Sequence, residues 1–206
     1  MNYFGHLLVA GAARPLSAAQ ALGTVLPDLA PMGGLDAAAL PDEVLTGRAL
    51  HHLADRAFHA HPSFVALSGS LRARLVDAGV GQGGARGCAH MGTELLLDGT
   101  LGGRDLPAVL RASLAQAHLI EPALSRTAAV RWAATVAWAR RSRPEDLADP
   151  RAVGARVLTV LSRRHRLAID PSLEAIVAGA LGDHQAAVVE CAAELFADVA
   201  RSLAPA

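Results

Sequence analysis

The stretch LHHLADRAFHAHPSF, residues 50–64, carries four histidines and an aspartate. A helix turns about 100° per residue, so positions four apart share a face. Counted from His51, Asp55 falls about 40° round and His59 about 80°, with His52 close to His59. These four residues therefore occupy one narrow arc, and His61 follows just before Pro62. HMGTELLLDG, residues 90–99, repeats the pattern. His90, Glu94 and Asp98 stand four apart, with Leu95, Leu96 and Leu97 between them as core contacts.

Such a face is partly buried, and burying an unpartnered carboxylate costs several kcal/mol. A divalent cation removes that cost, and neutral imidazoles with ionised carboxylates are the donors it needs. Two further polar residues sit in apolar surroundings: His6 in MNYFGHLLVA and Asp28 in TVLPDL. With them, four separate segments can build a common metal site, for one or two ions. The mixed donor set suits manganese, iron or zinc, and magnesium where oxygens dominate. His6, Asp28, His51, Asp55 and His90 are the first choices as ligands. His59, His61, Glu94 and Asp98 are ligands of second rank or partners that orient an imidazole.

Each residue has a plainer explanation. His6 alone fits a core histidine bonded to a carbonyl, and Asp28 a turn or cap. His51 and Asp55 fit an ordinary i, i+4 pair. His59 and His61 fit a polar helix end, and His90, Glu94 and Asp98 a solvated face. The metal reading gains because all these explanations must hold at once. His118, His165 and His184 stand in surface-like contexts.

The elements that must position these groups read as helices. The chain has 206 residues, 52% hydrophobic and 3% aromatic, so its core is built from Leu, Ala and Val. Ala and Leu are strong helix formers, and no alternating strand pattern occurs. We expect an all-α chain, a single compact multi-helix domain over 1–206 with the metal-site residues concentrated in 1–101. Helices are predicted at 2–11, 14–29 (ending near Gly23–Pro27), 41–59, 62–79, 85–101, 105–120, 125–141, 151–165, 172–182 and 184–203. Residues 30–41 and the glycine-rich 79–84 read as loops. The net charge of zero argues against a nucleic-acid partner. No apolar run reaches the ~18 residues of a membrane span. Cys88 and Cys191 make no zinc or disulfide framework, which fits a reduced, cytoplasmic protein. Oligomeric state is left open.

The order of motifs resembles the acyl carrier protein phosphodiesterase family, within the helical HD-type metal-dependent phosphohydrolases. The matching stretches are MNYFGH (Asn2, His6), GTVLPD (Asp28), HHLADRAFHAHP (His51, Asp55, Phe58, His61) and the AH pair ending at His90, over residues 1–101. Thr24, His59 and Ala89 depart from the family pattern, and few aromatics beyond Trp132 and Trp138 follow. HMGTELLLD is also loosely similar to helical zinc-dependent phospholipase C relatives. The resemblance implies an HD-like helical fold, a divalent metal such as manganese, and hydrolysis of a phosphodiester, in the family the phosphopantetheine linkage of a carrier protein.

The expectation is therefore a metal-dependent phosphoric ester hydrolase whose substrate is a phosphate ester, with a carrier protein as the possible partner. The metal activates water, and one of His52, His59 or His61 protonates the leaving alcohol. The glycine-rich segments 30–36 and 79–87 admit substrate, and Arg86 or Arg48 meets phosphate. Two other readings stay open: a non-catalytic helical scaffold with a vestigial site, and a hydrolase of another bond such as an amide.

Overall fold

The structure, a computed structural model, describes residues 1–35, 40–120 and 124–204. Among these residues there are nine α-helices and no strand. They are α1 (Tyr3–Ala13), α2 (Ala18–Gly33), α3 (Asp42–Ala60), α4 (Pro62–Asp77), α5 (Gln82–Gly99), α6 (Leu106–Leu114), α7 (Arg126–Ala139), α8 (Pro150–Leu161) and α9 (Glu174–Leu203). The all-α expectation holds. No described helix is long and apolar enough to cross a membrane.

The chain divides into two compact units. The first holds Asn2–Ala57, Gly103–Arg143 and the residues from Phe196; the second holds Met1, Phe58–Gly102 and Pro144–Leu195.

In the first unit α2 is the central helix, with α1, α6 and α7 packed on it. Its start is a capping box: Gln20 N–H donates to Ser17 Oγ at 3.2 Å, and Ser17 N–H to Gln20 Oε1 at 3.1 Å. The sequence predicts that this helix ends near Gly23–Pro27. It runs instead to Gly33, with Pro27 and Pro31 inside, and ends at Gly34 with φ 65°. The remainder of the expected 30–41 loop lies partly outside the described residues.

Gly23 is a crossing point rather than a stop. A Cβ there would stand 2.1 Å from the Val44 carbonyl oxygen, and one on Gly47 would stand 1.9 Å from that of Gln20. Only hydrogen at both positions lets the α2 and α3 backbones approach so closely. Trp132 of α7 is buried and lies against Gly33.

In the second unit α5 packs on α4 and α8. The glycines expected to form a loop over 79–87 mostly lie inside α5 and face neighbours. A Cβ on Gly84 would meet Ile169 at 2.6 Å, and one on Gly92 would meet Leu181 at 2.7 Å. Only 79–81 remains a turn, with Gly79 at φ 91°. The two helices expected at 172–182 and 184–203 are the single helix α9. Its buried Val177, Leu181, His184, Val188, Ala192 and Leu195 keep one helical stripe through Gly182.

Candidate metal centres

The predicted residues fall into two groups, one in each unit, and both group ligand atoms within 4.8 Å of one another: His6, Asp28 and His51, then His59, His90 and Glu94.

The first group follows from the glycine crossing. Thr24 is next to Gly23, and Asp28 is one turn further along α2. His51 is one turn beyond Gly47 on α3, and Asp55 one turn beyond that. The close approach brings the Thr24 carbonyl to 2.9 Å from His51 Nδ1. A carbonyl only accepts, so Nδ1 carries the proton and Nε2 presents its lone pair. A histidine that ligates a metal is oriented in this way, with its other nitrogen donating to a carbonyl or carboxylate. Burial pushes the His51 pKa down to about 4, against the Thr24 hydrogen bond and Asp55, which both raise it. The imidazole is therefore neutral at pH 7, as a ligand must be.

His6 stacks on His51, with ring centroids 3.8 Å apart and planes 23° from parallel. Its Nε2 lies 3.8 Å from Asp55 Oδ1 and 4.0 Å from Asp28 Oδ2. These separations exceed hydrogen-bonding distance. They match the spacing of two ligands on one cation, since bonds of about 2.1 Å place such atoms roughly 3–4 Å apart. Both histidines are buried, whereas the Asp28 and Asp55 side chains are 21% and 36% exposed. The imidazoles form the inner wall and the carboxylates the side reached by solvent. This donor set fits a divalent cation.

In the second group everything converges on one oxygen. Glu94 Oε1 lies 3.0 Å from His59 Nε2, 3.3 Å from His90 Nε2 and 2.9 Å from the Met1 ammonium. Burial of Glu94 would raise its pKa. The Met1 ammonium and the two imidazole hydrogen bonds outweigh that and hold the carboxyl well below its ordinary value.

The other predicted residues stand apart from both groups. Asp98 is buried on α5, one turn beyond Glu94. His52 is exposed, with its ring edge-on to His51 at 5.3 Å. His61 caps α4: its Nδ1 accepts the Ser63 N–H at 3.2 Å. His184, expected at the surface, is buried on α9. Its Nε2 lies 3.3 Å from Thr93 Oγ1, and burial lowers its pKa. Cys88 is a buried free thiol pushed up to about 12 by burial, so it is not a nucleophile.

Sequence reasoning missed the Thr24 carbonyl, the Gly23–Gly47 crossing and the Met1 ammonium. The usable signal for the crossing was a glycine one helical turn before His51 and another beside Thr24. Comparison with known proteins finds no matching family model, no matching curated protein and no matching solved structure.

Proposed function

We propose that the chain is a metal-dependent hydrolase of phosphoric esters, with a divalent cation held by His6, Asp28, His51 and Asp55. The observation that carries this reading is His51, kept neutral by burial, bonded through Nδ1 to the Thr24 carbonyl, and grouped with His6 and Asp28 so that one ligand atom of each lies within 4.8 Å of the others. Two nitrogens with carboxylate oxygens favour manganese, iron or zinc over magnesium. The phosphodiester substrate and the HD-like arrangement rest on the motif resemblance over residues 1–101, with which an all-helical chain agrees.

When bound, the cation lowers the pKa of a water and neutralises charge on phosphate oxygens. The chain's own residues supply the rest. His6 and His51 close the buried side against solvent, and with them the more exposed Asp28 and Asp55 would hold the cation. Of the three imidazoles expected to protonate the leaving alcohol, His52 is the one in the first unit. It is exposed and adjoins His51, so it can reach a substrate oxygen and exchange its proton with solvent. Arg48, one turn before His52 on α3, offers a cation for a phosphate oxygen.

A non-catalytic metal-binding scaffold is the second reading. It is favoured by Ala89, which is buried and offers no ligand, and by Thr24, whose hydroxyl donates to the Gln20 carbonyl at 3.0 Å. Elemental analysis of tag-free protein and turnover of a chromogenic phosphodiester separate the two. The hydrolase reading expects bound metal and turnover, with one metal equivalent and the turnover lost in Asp28→Ala while helicity is kept. Metal without turnover on any phosphomonoester or diester selects the scaffold. Full activity in Asp28→Ala removes this site from the reaction.

A further inference from the structure

Beyond that reading, and independent of it, we propose that His59, His90 and Glu94 form a second cation site that takes a late first-row divalent ion such as zinc, nickel or copper. His90 and Glu94 are an i, i+4 pair on α5, and His59 comes from the last turn of α3. Two ligands four apart on one helix with a third from another segment make a three-point metal cradle. The Nε2 atoms of both rings already face one Glu94 oxygen, at 3.0 and 3.3 Å.

The rings are held in place. They stack with centroids 4.8 Å apart and planes 12° from parallel. Phe64 stands edge-on to both, at 5.2 Å from His59 and 5.5 Å from His90. Phe58 adds a second aromatic contact to His59 at 5.3 Å. Little side-chain freedom is left to lose when a cation binds. Entry is from solvent past His90, whose side chain is 49% exposed.

Two nitrogens to one oxygen set the metal preference. Affinity of such sites rises along the first row to copper and stays high at zinc, while calcium and magnesium demand more oxygens. A carboxylate only accepts, so both rings carry a proton on Nε2 while they bond Glu94; a cation takes those nitrogens once that proton has moved to Nδ1 of a neutral ring, or to solvent from a charged one. The Met1 ammonium, 2.9 Å from the same Glu94 oxygen, competes with the cation. This site is therefore weaker than its donors alone would make it.

The test is a zinc titration of chelator-stripped, tag-free full-length protein against a chromophoric competitor. Wild type is expected to bind two zinc ions. His90→Ala and His59→Ala are each expected to lose one equivalent, and His51→Ala to keep the equivalent that His90→Ala loses. His90 is exposed, so its alanine variant keeps the fold, which the thermal unfolding midpoint checks. Millimolar magnesium should leave this equivalent in place, and copper(II) should displace it. Zinc stoichiometry unchanged in both His90→Ala and His59→Ala overturns the proposal, as does wild type that binds none. A His51→Ala variant that binds as much zinc as wild type sinks the first site alone.

Discussion

In the first unit His6 stands 3.8 and 4.0 Å from two carboxylates, whereas in the second unit Glu94 receives His59 and His90 at 3.0 and 3.3 Å. Both groups contain two imidazoles and acidic oxygen. In the first, His6 Nε2 stands beyond hydrogen-bonding distance of both carboxylates, with His51 neutralised by burial and bonded to a backbone carbonyl. The second has closed onto its own hydrogen bonds, with an ammonium supplying positive charge. Residue type thus does not decide readiness for a cation. What differs is the partner each ring meets: the α2–α3 crossing brings His51 to the Thr24 carbonyl, whereas His59 and His90 meet the Glu94 carboxylate.

The sharpest way to break this contrast is to remove the crossing. Gly47→Ala places a Cβ 1.9 Å from the Gln20 carbonyl oxygen, and a backbone atom cannot swing away. The loss of stability should exceed the about 1–3 kcal/mol of ordinary overpacking. Zinc bound at His6, Asp28 and His51 should be lost as well. Gly69→Ala on α4 is the control, because nothing lies within 4 Å of its added Cβ. There alanine should be neutral or stabilise by up to about 1 kcal/mol. Urea unfolding of the two variants gives the comparison. A Gly47→Ala protein as stable as the control would show that the crossing does not set the first group.

Acid titration of metal-free protein separates the groups by window. The His51 pKa is lowered in the folded chain, so its unfolded form binds the extra proton. Its contribution is complete above 6.5 and is lost as pH falls towards about 4. That shift corresponds to on the order of 3 kcal/mol. Glu94 is also lowered, from 4.5, so its contribution is present above that value and is lost at more acid pH. His51→Gln should flatten the stability profile between pH 6.5 and 4, and Glu94→Gln should flatten it only below about 4.5. Identical profiles for the two variants would mean that the groups do not differ in ground state.

The same contrast explains which features were legible in the sequence. The His51–Asp55 and His90–Glu94 pairs were readable because a helix fixes which residues share a face. His6 and Asp28 were readable as polar residues in apolar runs and through the motif order. The division of one expected site into two groups was not readable, because helical period says nothing of which faces meet. His59 shares an arc with His51 on α3, yet it groups with α5. Gly23, Gly47 and Gly92 were opaque for a related reason. Glycine marks a turn by its freedom in φ or a close contact by its lack of Cβ, and only the neighbouring helix tells which. Gly182 and Pro27 misled in the same direction: buried residues every three or four positions carry α9 through the glycine, and packing on α1, α6 and α7 carries α2 through the proline.

The smallest expected effect concerns His61, which the sequence placed among proton donors and which the structure uses at a helix terminus. His61→Ala removes the acceptor for the Ser63 N–H, and loss of such a cap costs about 1 kcal/mol. A cap acts on the folding equilibrium alone. The unfolding midpoint should therefore fall slightly, while zinc stoichiometry and kcat on a phosphodiester stay at wild-type values. His52→Ala should do the reverse: its side chain is exposed, so stability should hold within about 0.5 kcal/mol while kcat drops. If instead His61→Ala lowers kcat and strips one limb from its pH profile, the proton donor lies in the second unit, and the assignment of the reaction to the first group fails with it.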